Sequence, residues 1–123
     1  MAQICPFCGS QIALVARHVL YPEQSGWLYL CVRFPDCDSR VGCHPGTIVP
    51  LGSLADPELR QLRSLCHQQF DQLWRSGRQS RSQAYRWLAE AMGLPPQSAH
   101  FGCFDKTQCK VALTHIQSYK EQP

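Results

Sequence analysis

Apolar residues follow two different periods along the chain, and the change of period separates predicted strands from predicted helices. Residues 11–21 alternate in part between apolar and polar side chains, which is the period of a strand. A turn-forming stretch at 22–26 and an aromatic-rich run at 27–30 follow, so that the two apolar segments predict an antiparallel hairpin. Residues 40–49 predict a further strand or extended segment, which a Pro-Gly pair interrupts.

After this part the apolar residues recur at the spacing of a helix. Asp56 is a suitable N-cap, Pro57 suits the first helical position, and Gly77 is placed to end the first helix. The apolar face predicted for this helix consists of Leu59, Leu62, Leu65, Cys66, Phe70, Leu73 and Trp74.

Two capping boxes predict a second and a third helix. Ser80 and Gln83 have the spacing of the first box, and Gly93 stops the helix that they begin. Asp105 and Gln108 form the second box. The residues predicted to face inward are Ala84, Tyr85, Leu88, Ala91 and Met92 in the second helix, and Cys109, Ala112, Leu113 and Ile116 in the third.

Four of the eight cysteines stand in two pairs that flank the predicted hairpin, Cys5 with Cys8 and Cys31 with Cys37. Four thiolates in this layout hold one Zn²⁺ tetrahedrally, with Zn–S distances of about 2.3 Å. Because four protein ligands leave no position for water, the pattern predicts one structural zinc rather than a catalytic one.

Two other readings of the paired cysteines are a secreted disulfide scaffold and a redox motif at residues 5–8. The first would need a signal peptide, and the N-terminus has no basic region followed by an apolar core. The second would place the pair at a helix N-terminus, where a thiol pKa is lowered, whereas this pair precedes a strand. Both are less favoured than zinc.

The knuckle sequences resemble those of a known zinc ribbon. The run Cys31-Val-Arg-Phe-Pro-Asp-Cys37 is similar to the aromatic-Pro-acid-Cys knuckle in the C-terminal zinc ribbons of bacterial type IA DNA topoisomerases, which also open with Cys-Pro-x-Cys-Gly, as residues 5–9 do. The resemblance covers about the first forty residues. It implies a zinc site and a ribbon fold, and it raises the expectation of contact with single-stranded DNA.

A longer resemblance covers nearly the whole chain. Residues 41–47, 50–56, 84–89 and 100–105 are similar to a family of small phage, prophage and plasmid proteins with a zinc-finger-containing domain. This resemblance implies a zinc-binding fold and an origin in a phage, prophage or plasmid. It implies no activity.

Length and composition fit one small folded protein. The chain has 123 residues, of which 44% are hydrophobic and 17% charged, so it has the apolar content of an ordered protein. We predict an α+β fold in which a four-cysteine zinc ribbon of β-hairpins (residues 1–52) is packed with a three-helix body (residues 53–120) as one compact unit.

The remaining cysteines and histidines leave a second metal site open as an alternative. Its candidate ligands are Cys43, His44, Cys66, His67, Cys103 and Cys109. Cys66 and Cys109 lie on predicted apolar faces, where free cysteine behaves as a small hydrophobe, so core packing is favoured. For His44, His67 and His100 we expect a buried hydrogen-bonding role, with a functional surface as the alternative.

Basic and aromatic residues are the candidate nucleic-acid contacts. Four arginines without an intervening acidic residue surround the start of the second helix, namely Arg75, Arg78, Arg81 and Arg86. The ribbon contributes Arg17, Arg33 and Arg40 together with Trp27, a mixture suited to phosphates and unpaired bases. Backbone amides at 80–82 add a candidate anion site. The alternative is a solvated helix junction and strand residues that pack in the core.

We expect a binding protein rather than an enzyme. The sequence has no Gly-rich phosphate loop, no His-Glu-x-x-His motif and no nucleophile elbow. The net charge of +3 permits contact with DNA, single-stranded or locally opened, without requiring it. The alternative is a protein-binding module that inhibits a host factor such as a defence nuclease or the transcription machinery. No apolar run approaches the roughly 18 residues of a membrane span, so we expect a cytosolic location. The resemblance to phage, prophage and plasmid proteins implies that this is the cytoplasm of a bacterial host cell.

Overall fold

The computed structural model of the protein describes residues 4–77 and 79–121. The chain divides into two compact units, Met1–Glu58 and Leu59–Pro123. The first, called the ribbon unit below, contains a three-stranded sheet, and the second, called the helical unit, contains most of three helices. This order of elements confirms the predicted α+β class. None of the described helices has the length and apolar character of a membrane span.

The sheet of the ribbon unit is antiparallel with strand order β1-β2-β3. Its strands are β1 (Ile12–Ala16), β2 (Trp27–Cys31) and β3 (Arg40–Gly42). Ile12 pairs with Cys31 at one end of the hairpin, and Ala16 pairs with Trp27 at the other. The sheet therefore has a cysteine end and, about 13 Å away along the five residues of β2, a tryptophan end.

The first strand is shorter than the predicted run of residues 11–21. It ends at Ala16: the Arg17 amide still donates across the hairpin to the Gly26 carbonyl at 2.9 Å, but the chain then turns away through a short 3₁₀ helix. The Tyr21 amide donates back to the Arg17 carbonyl at 2.8 Å and closes this turn. The partial alternation of apolar and polar residues in the sequence therefore extends beyond the last residue of β1.

A loop of residues 44–49 follows β3 and packs over the sheet. Cys43 and Pro50 form a bridge at its base, and the His44 amide donates to the Val49 carbonyl at 2.9 Å. The Tyr29 hydroxyl donates to the Ile48 carbonyl at 2.7 Å. Beneath the loop is a small buried cluster that consists of Tyr29, Cys43 and Leu54, with Ile12 and Val41 packed against it.

The three predicted helices are present as α1 (Pro57–Arg75), α2 (Arg81–Met92) and α3 (Lys106–Glu121). Both predicted capping boxes form. Ser80 Oγ accepts from the Gln83 amide, and Asp105 Oδ1 accepts from the Gln108 amide at 2.8 Å.

Aromatic side chains fill the core of the helical unit. The Phe70 ring centroid lies 4.5 Å from that of Tyr85 and 5.2 Å from that of Phe101, which lies 5.5 Å from that of Phe104. One side chain predicted to face inward differs, because Leu65 is 41% exposed and faces a groove beside α3. When the apolar stripe of a helix is wider than the helix's contact with its neighbours, the apolar residues at the edge of the stripe remain exposed to water.

Candidate metal centre and basic residues

Four cysteine side chains meet at the cysteine end of the sheet. The Sγ atoms of Cys5, Cys8, Cys31 and Cys37 all lie within 4.8 Å of one another. The distance is 3.7 Å between the sulfurs of Cys5 and Cys37 and 3.4 Å between those of Cys8 and Cys31. Sulfurs placed about 2.3 Å from a tetrahedral zinc ion are about 3.8 Å apart, so the cluster has the dimensions of a zinc site.

The first pair of cysteines lies on a tight turn. The Gly9 amide donates to the Cys5 carbonyl at 2.9 Å, and the Cys5 amide donates to the Ser10 carbonyl at 2.7 Å. Gly9 has a φ of +77° with open space around its Cα, so glycine is required here by the backbone conformation and not by crowding. The turn brings the sulfurs of Cys5 and Cys8 into the same cluster.

The second pair has five residues between its cysteines, and local hydrogen bonds close this longer turn. Cys31 is the last residue of β2, and its carbonyl accepts from the Phe34 amide at 3.0 Å. The Cys37 amide donates to the Arg33 carbonyl at 3.1 Å. These two successive turns bring the Cys37 sulfur back into the cluster that contains the Cys31 sulfur.

The pKa values of the four thiols diverge within the cluster. Hydrogen bonds from the hydroxyl and amide of Ser10 lower the pKa of Cys8 to about 6. Desolvation and the neighbouring thiols raise the pKa of Cys37 to about 12, and burial raises the pKa of Cys31. Four sulfurs this close cannot all be thiolates unless a positive charge lies between them, and a divalent metal ion supplies that charge.

Ser39 is a buried neighbour of the centre. Its side chain is 0% exposed, and its hydroxyl has no oxygen or nitrogen partner within residues 4–77 and 79–121. Burial acts to raise the pKa of Cys5, but hydrogen bonds from the Phe7 and Cys8 amides, together with the nearby Ser39 hydroxyl, outweigh it, so that this pKa is lowered. A hydroxyl beside a thiolate fits a metal centre, because ligating thiols are deprotonated and commonly accept hydrogen bonds.

A family comparison agrees with this geometry. Residues 1–119 match the model of a family described as a zinc-finger-containing domain. The chain belongs to this family. No curated protein and no solved structure matches the chain. The zinc-finger family and the four clustered cysteines together fit one structural zinc, which holds two turns together and, with four thiolate ligands, keeps no open position for a substrate.

The other cysteines form no second metal site in the part of the chain that the structure describes. Cys66 and Cys109 are both 0% exposed, as the core-packing reading predicted, and the Cys66 sulfur lies 3.4 Å from the Cys109 carbonyl oxygen. Burial raises the pKa of Cys66 to about 12, so its thiol is protonated and a poor ligand at neutral pH. Cys103 is exposed, and Cys43 is buried in the ribbon unit.

Three histidines that were expected to be buried, His44, His67 and His100, are exposed, so that expectation was wrong. His67 packs its ring 4.8 Å from the Phe101 ring, and His100 lies 6.3 Å from the Tyr85 ring. In both cases one side of the imidazole covers an aromatic core residue while the rest of the side chain stays in water. His44 begins the loop above the sheet.

The ribbon arginines have three different environments. Arg17 and Trp27 line one cavity at the tryptophan end of the sheet. Arg40 forms an ion pair with Asp38 at 2.8 Å, and Arg33 is exposed in the second knuckle. The structure therefore places Arg17 beside Trp27, sets Arg17 and Arg40 each 5.5 Å from the centroid of the Tyr21 ring, and gives Arg40 an acidic partner.

Three of the four arginines predicted as contacts in the helical unit, Arg75, Arg81 and Arg86, are exposed. Arg75 lies 3.7 Å from Asp71, and Arg75 and Arg81 extend over the ring of an aromatic residue on their own helix at 5.3 and 5.4 Å. Arg86 is exposed on α2. Arg78, the fourth predicted contact, lies outside the described residues.

The predicted anion site at residues 80–82 is partly used by the protein itself. The Ser80 hydroxyl accepts from the Gln83 amide at 3.1 Å, and the Ser80 amide donates to Gln83 Oε1 at 2.9 Å. The capping box therefore satisfies two backbone amides at the start of α2, which weakens the case for an anion held by this helix end alone.

Sequence reasoning missed the residues that position Arg17. Its guanidinium is held by Gln24 and lies over the Tyr21 ring, at 5.5 Å from the centroid. Gly42 makes room for it, since a Cβ there would lie 2.5 Å from Arg17 Nη1. The one available signal was Gly42 itself, because a glycine inside a strand often marks a close approach.

Proposed function

We propose that the protein binds nucleic acid, and specifically DNA that is single-stranded or locally opened, as a binding protein without catalytic activity. The observation that carries this proposal is the separation of charge between the two units. Residues 59–123 contain nine Lys or Arg and four Asp or Glu, a net charge of +5, whereas residues 1–58 contain three and five, a net charge of −2. The net charge of the whole chain is only +3 because the negative charge of the ribbon unit cancels part of the positive charge of the helical unit.

The helical unit is the proposed site of phosphate contacts. Arg81 and Arg86 are exposed on α2, and Arg75 is exposed near the end of α1. An arginine that extends over an aromatic ring keeps its N–H groups free at the edge of the guanidinium plane for phosphate oxygens. The resemblance of the second knuckle to topoisomerase ribbons supports the choice of unpaired DNA, and the family resemblance supports an origin in a phage or another mobile element and a place in the bacterial cytoplasm.

Salt dependence of DNA affinity tests the proposal. Fluorescence anisotropy of labelled single- and double-stranded oligonucleotides, titrated with the zinc-loaded protein at about 50 and 200 mM salt, should show binding that weakens steeply with salt and favours the single strand. The double variant Arg81→Gln/Arg86→Gln should reduce the slope of log affinity against log salt concentration by the amount that corresponds to about two phosphate contacts. Lys110→Gln on α3 is the matched control for loss of a surface charge. Absence of binding at the lower salt would refute the proposal.

A second candidate function is favoured by a separate observation. Among the described residues, nine of the eleven exposed large apolar side chains lie in the ribbon unit, including Ile48, Val49 and Leu51. An acidic unit with exposed apolar side chains suits a protein partner, such as a host nuclease or a component of the transcription machinery. A stoichiometric complex with a purified partner that survives Arg81→Gln/Arg86→Gln and is lost on Val49→Asp would favour this function over DNA binding.

A further inference from the structure

A cavity of about 480 Å³ opens at the tryptophan end of the sheet in the ribbon unit. Its walls come from the residue that follows β1, the turn before β2 with the first residue of β2, the residue that follows β3, and the loop that begins at His44. The volume lies within the range of small-ligand sites, which is about 300–1,000 Å³. Arg17, Trp27 and His44 are the wall residues with recognition chemistry.

The Arg17 guanidinium is held in one orientation. Nε and Nη2 both donate to Gln24 Oε1, at 3.0 and 2.6 Å, and the group lies over the Tyr21 ring. Nη1 sits where a side chain at position 42 would be, because a Cβ on Gly42 would lie 2.5 Å from it. Within residues 4–77 and 79–121 this amino group makes no hydrogen bond, so it is a fixed cationic donor for a ligand anion.

Trp27 supplies an aromatic surface beside this cation. It is the first residue of β2 and is 43% exposed, although both neighbouring strands hold its backbone. Its carbonyl accepts from the Cys43 amide at 3.2 Å, and its partner on β1 is Ala16. An exposed indole on a fixed backbone is a stacking surface for a planar ring.

The loop that forms the opposite wall is ordered by its own hydrogen bonds. The Thr47 amide and hydroxyl both donate to the His44 carbonyl, at 3.1 and 2.9 Å, and the Val49 amide donates to Thr47 Oγ1 at 3.1 Å. With the bond from Tyr29 to Ile48, these contacts fix the wall before any ligand arrives. A preformed wall lowers the entropy cost of binding.

We infer that this cavity binds one unpaired nucleotide, with its base against the Trp27 indole and its phosphate on Arg17 Nη1. Among the described lining residues, Trp27 is the one Phe, Tyr or Trp side chain and Arg17 the one Lys or Arg side chain, which fits one nucleotide and not a run of several. The inference rests on the proposed function and adds to it a base-binding subsite in the ribbon unit.

The test is an NMR titration of ¹⁵N-labelled, zinc-loaded full-length protein with AMP and, separately, with inorganic phosphate, each to about 10 mM at constant ionic strength. The chain has three tryptophans, so their indole N–H signals distinguish the sites. AMP should shift the Trp27 indole and Arg17 Nε–H signals and leave those of Trp74 and Trp87 in place. Phosphate alone should shift Arg17 and leave Trp27 unchanged.

Two variants probe the geometry without loss of charge. Gly42→Ala should displace the Arg17 guanidinium, which is the flexible end of a side chain, so the fold is kept while AMP affinity falls at least roughly fivefold. Trp27→Leu should remove the stacking surface and weaken AMP by a similar factor. Trp87→Phe in the helical unit is the control and should bind AMP as the unchanged protein does.

The outcomes separate this inference from the proposed function. If AMP shifts neither signal, or if phosphate shifts Trp27 as much as AMP does, the nucleotide site is refuted, whatever the oligonucleotide affinity. If Gly42→Ala and Trp27→Leu bind AMP unchanged, it is refuted as well. If AMP binds in the cavity but no oligonucleotide binds at low salt, the proposed function fails while the cavity remains a nucleotide site.

Discussion

Replacing Cys31 and Cys66 by alanine, one at a time, separates metal binding from core packing. Both side chains are 0% exposed and both carry a thiol, so the two substitutions remove the same atoms from equally buried positions. Cys31 lies in the four-sulfur cluster, whereas Cys66 lies in the core of the helical unit next to Cys109. Any difference in zinc affinity between the two variants therefore arises from the loss of a ligand at the metal centre.

Cys31→Ala is expected to lower zinc affinity, whereas Cys66→Ala is expected to lower only the free energy of unfolding. Structural zinc sites bind with about 10–16 kcal/mol, so one of four thiolates accounts for roughly 3 kcal/mol, or about a hundredfold in zinc affinity. Because Cys31 is buried, water cannot readily take its place, and Cys31→Ala should lose more affinity than the same change at the exposed Cys8. Cys66→Ala should cost about 1–2 kcal/mol of unfolding free energy from lost burial and leave zinc affinity unchanged.

Competition with a chromophoric chelator measures these affinities, and circular dichroism in urea measures the stability. Cys31→Ala should release its zinc at a roughly hundredfold lower chelator concentration than Cys66→Ala. If the two variants hold zinc equally well, or if the purified protein contains clearly less than one zinc ion per chain, the four-cysteine centre is wrong.

Three further predictions concern the helical unit. Arg63→Met should lower the free energy of unfolding by about 2–3 kcal/mol, because Nε and Nη2 donate to the Phe104 carbonyl at 3.0 and 2.8 Å; urea denaturation measures it. At pH 8 iodoacetamide should label the exposed Cys103 in the folded protein and spare Cys66, whose pKa of about 12 leaves about one thiol in ten thousand ionised; mass spectrometry of peptides identifies the labelled sites. Ser80→Ala should destabilise α2 by about 1 kcal/mol through loss of its N-cap, which thermal unfolding detects.

Each of these predictions has its own control and contrary result. Arg86→Met removes an exposed guanidinium and should change stability by less than about 0.5 kcal/mol; a cost equal to that of Arg63→Met would mean that the carbonyl contact is unimportant. Labelling of Cys66 as fast as Cys103 would contradict its burial. Ser80→Gly should cost only a few tenths of a kcal/mol, and a cost above that of Ser80→Ala would argue against the capping box.

The helices of this protein were predictable because their limits are set by neighbours in sequence. The box of Ser80 with Gln83 and the left-handed Gly93 at the end of α2, with φ of +67°, were both expected and both present. Such caps involve residues three or four positions apart, so they depend little on the rest of the fold. The same holds for Asp105 and Gln108 at the start of α3.

Burial was less predictable, because it depends on which elements meet. Leu65 continues the apolar period of α1 but is 41% exposed, and Ala89, not predicted to face inward, is 2% exposed. His67 and His100 were expected inside and lie at the rim of the aromatic core. Periodicity indicates a helix face, whereas the width of the contact is set by the neighbouring helices.

By itself the sequence determined the local features of this protein: two cysteine knuckles, a hairpin between them, three capped helices, and a basic half that follows an acidic one. Each follows from residue types within a few positions of one another or from a simple count. The tertiary structure alone decided that the four sulfurs converge within 4.8 Å, that the Arg40 guanidinium lies 5.5 Å from the centroid of the Tyr21 ring, and that Gly42 leaves the space that Arg17 occupies beside Trp27. Those contacts depend on strand register and turn geometry, which pair residues far apart in the chain.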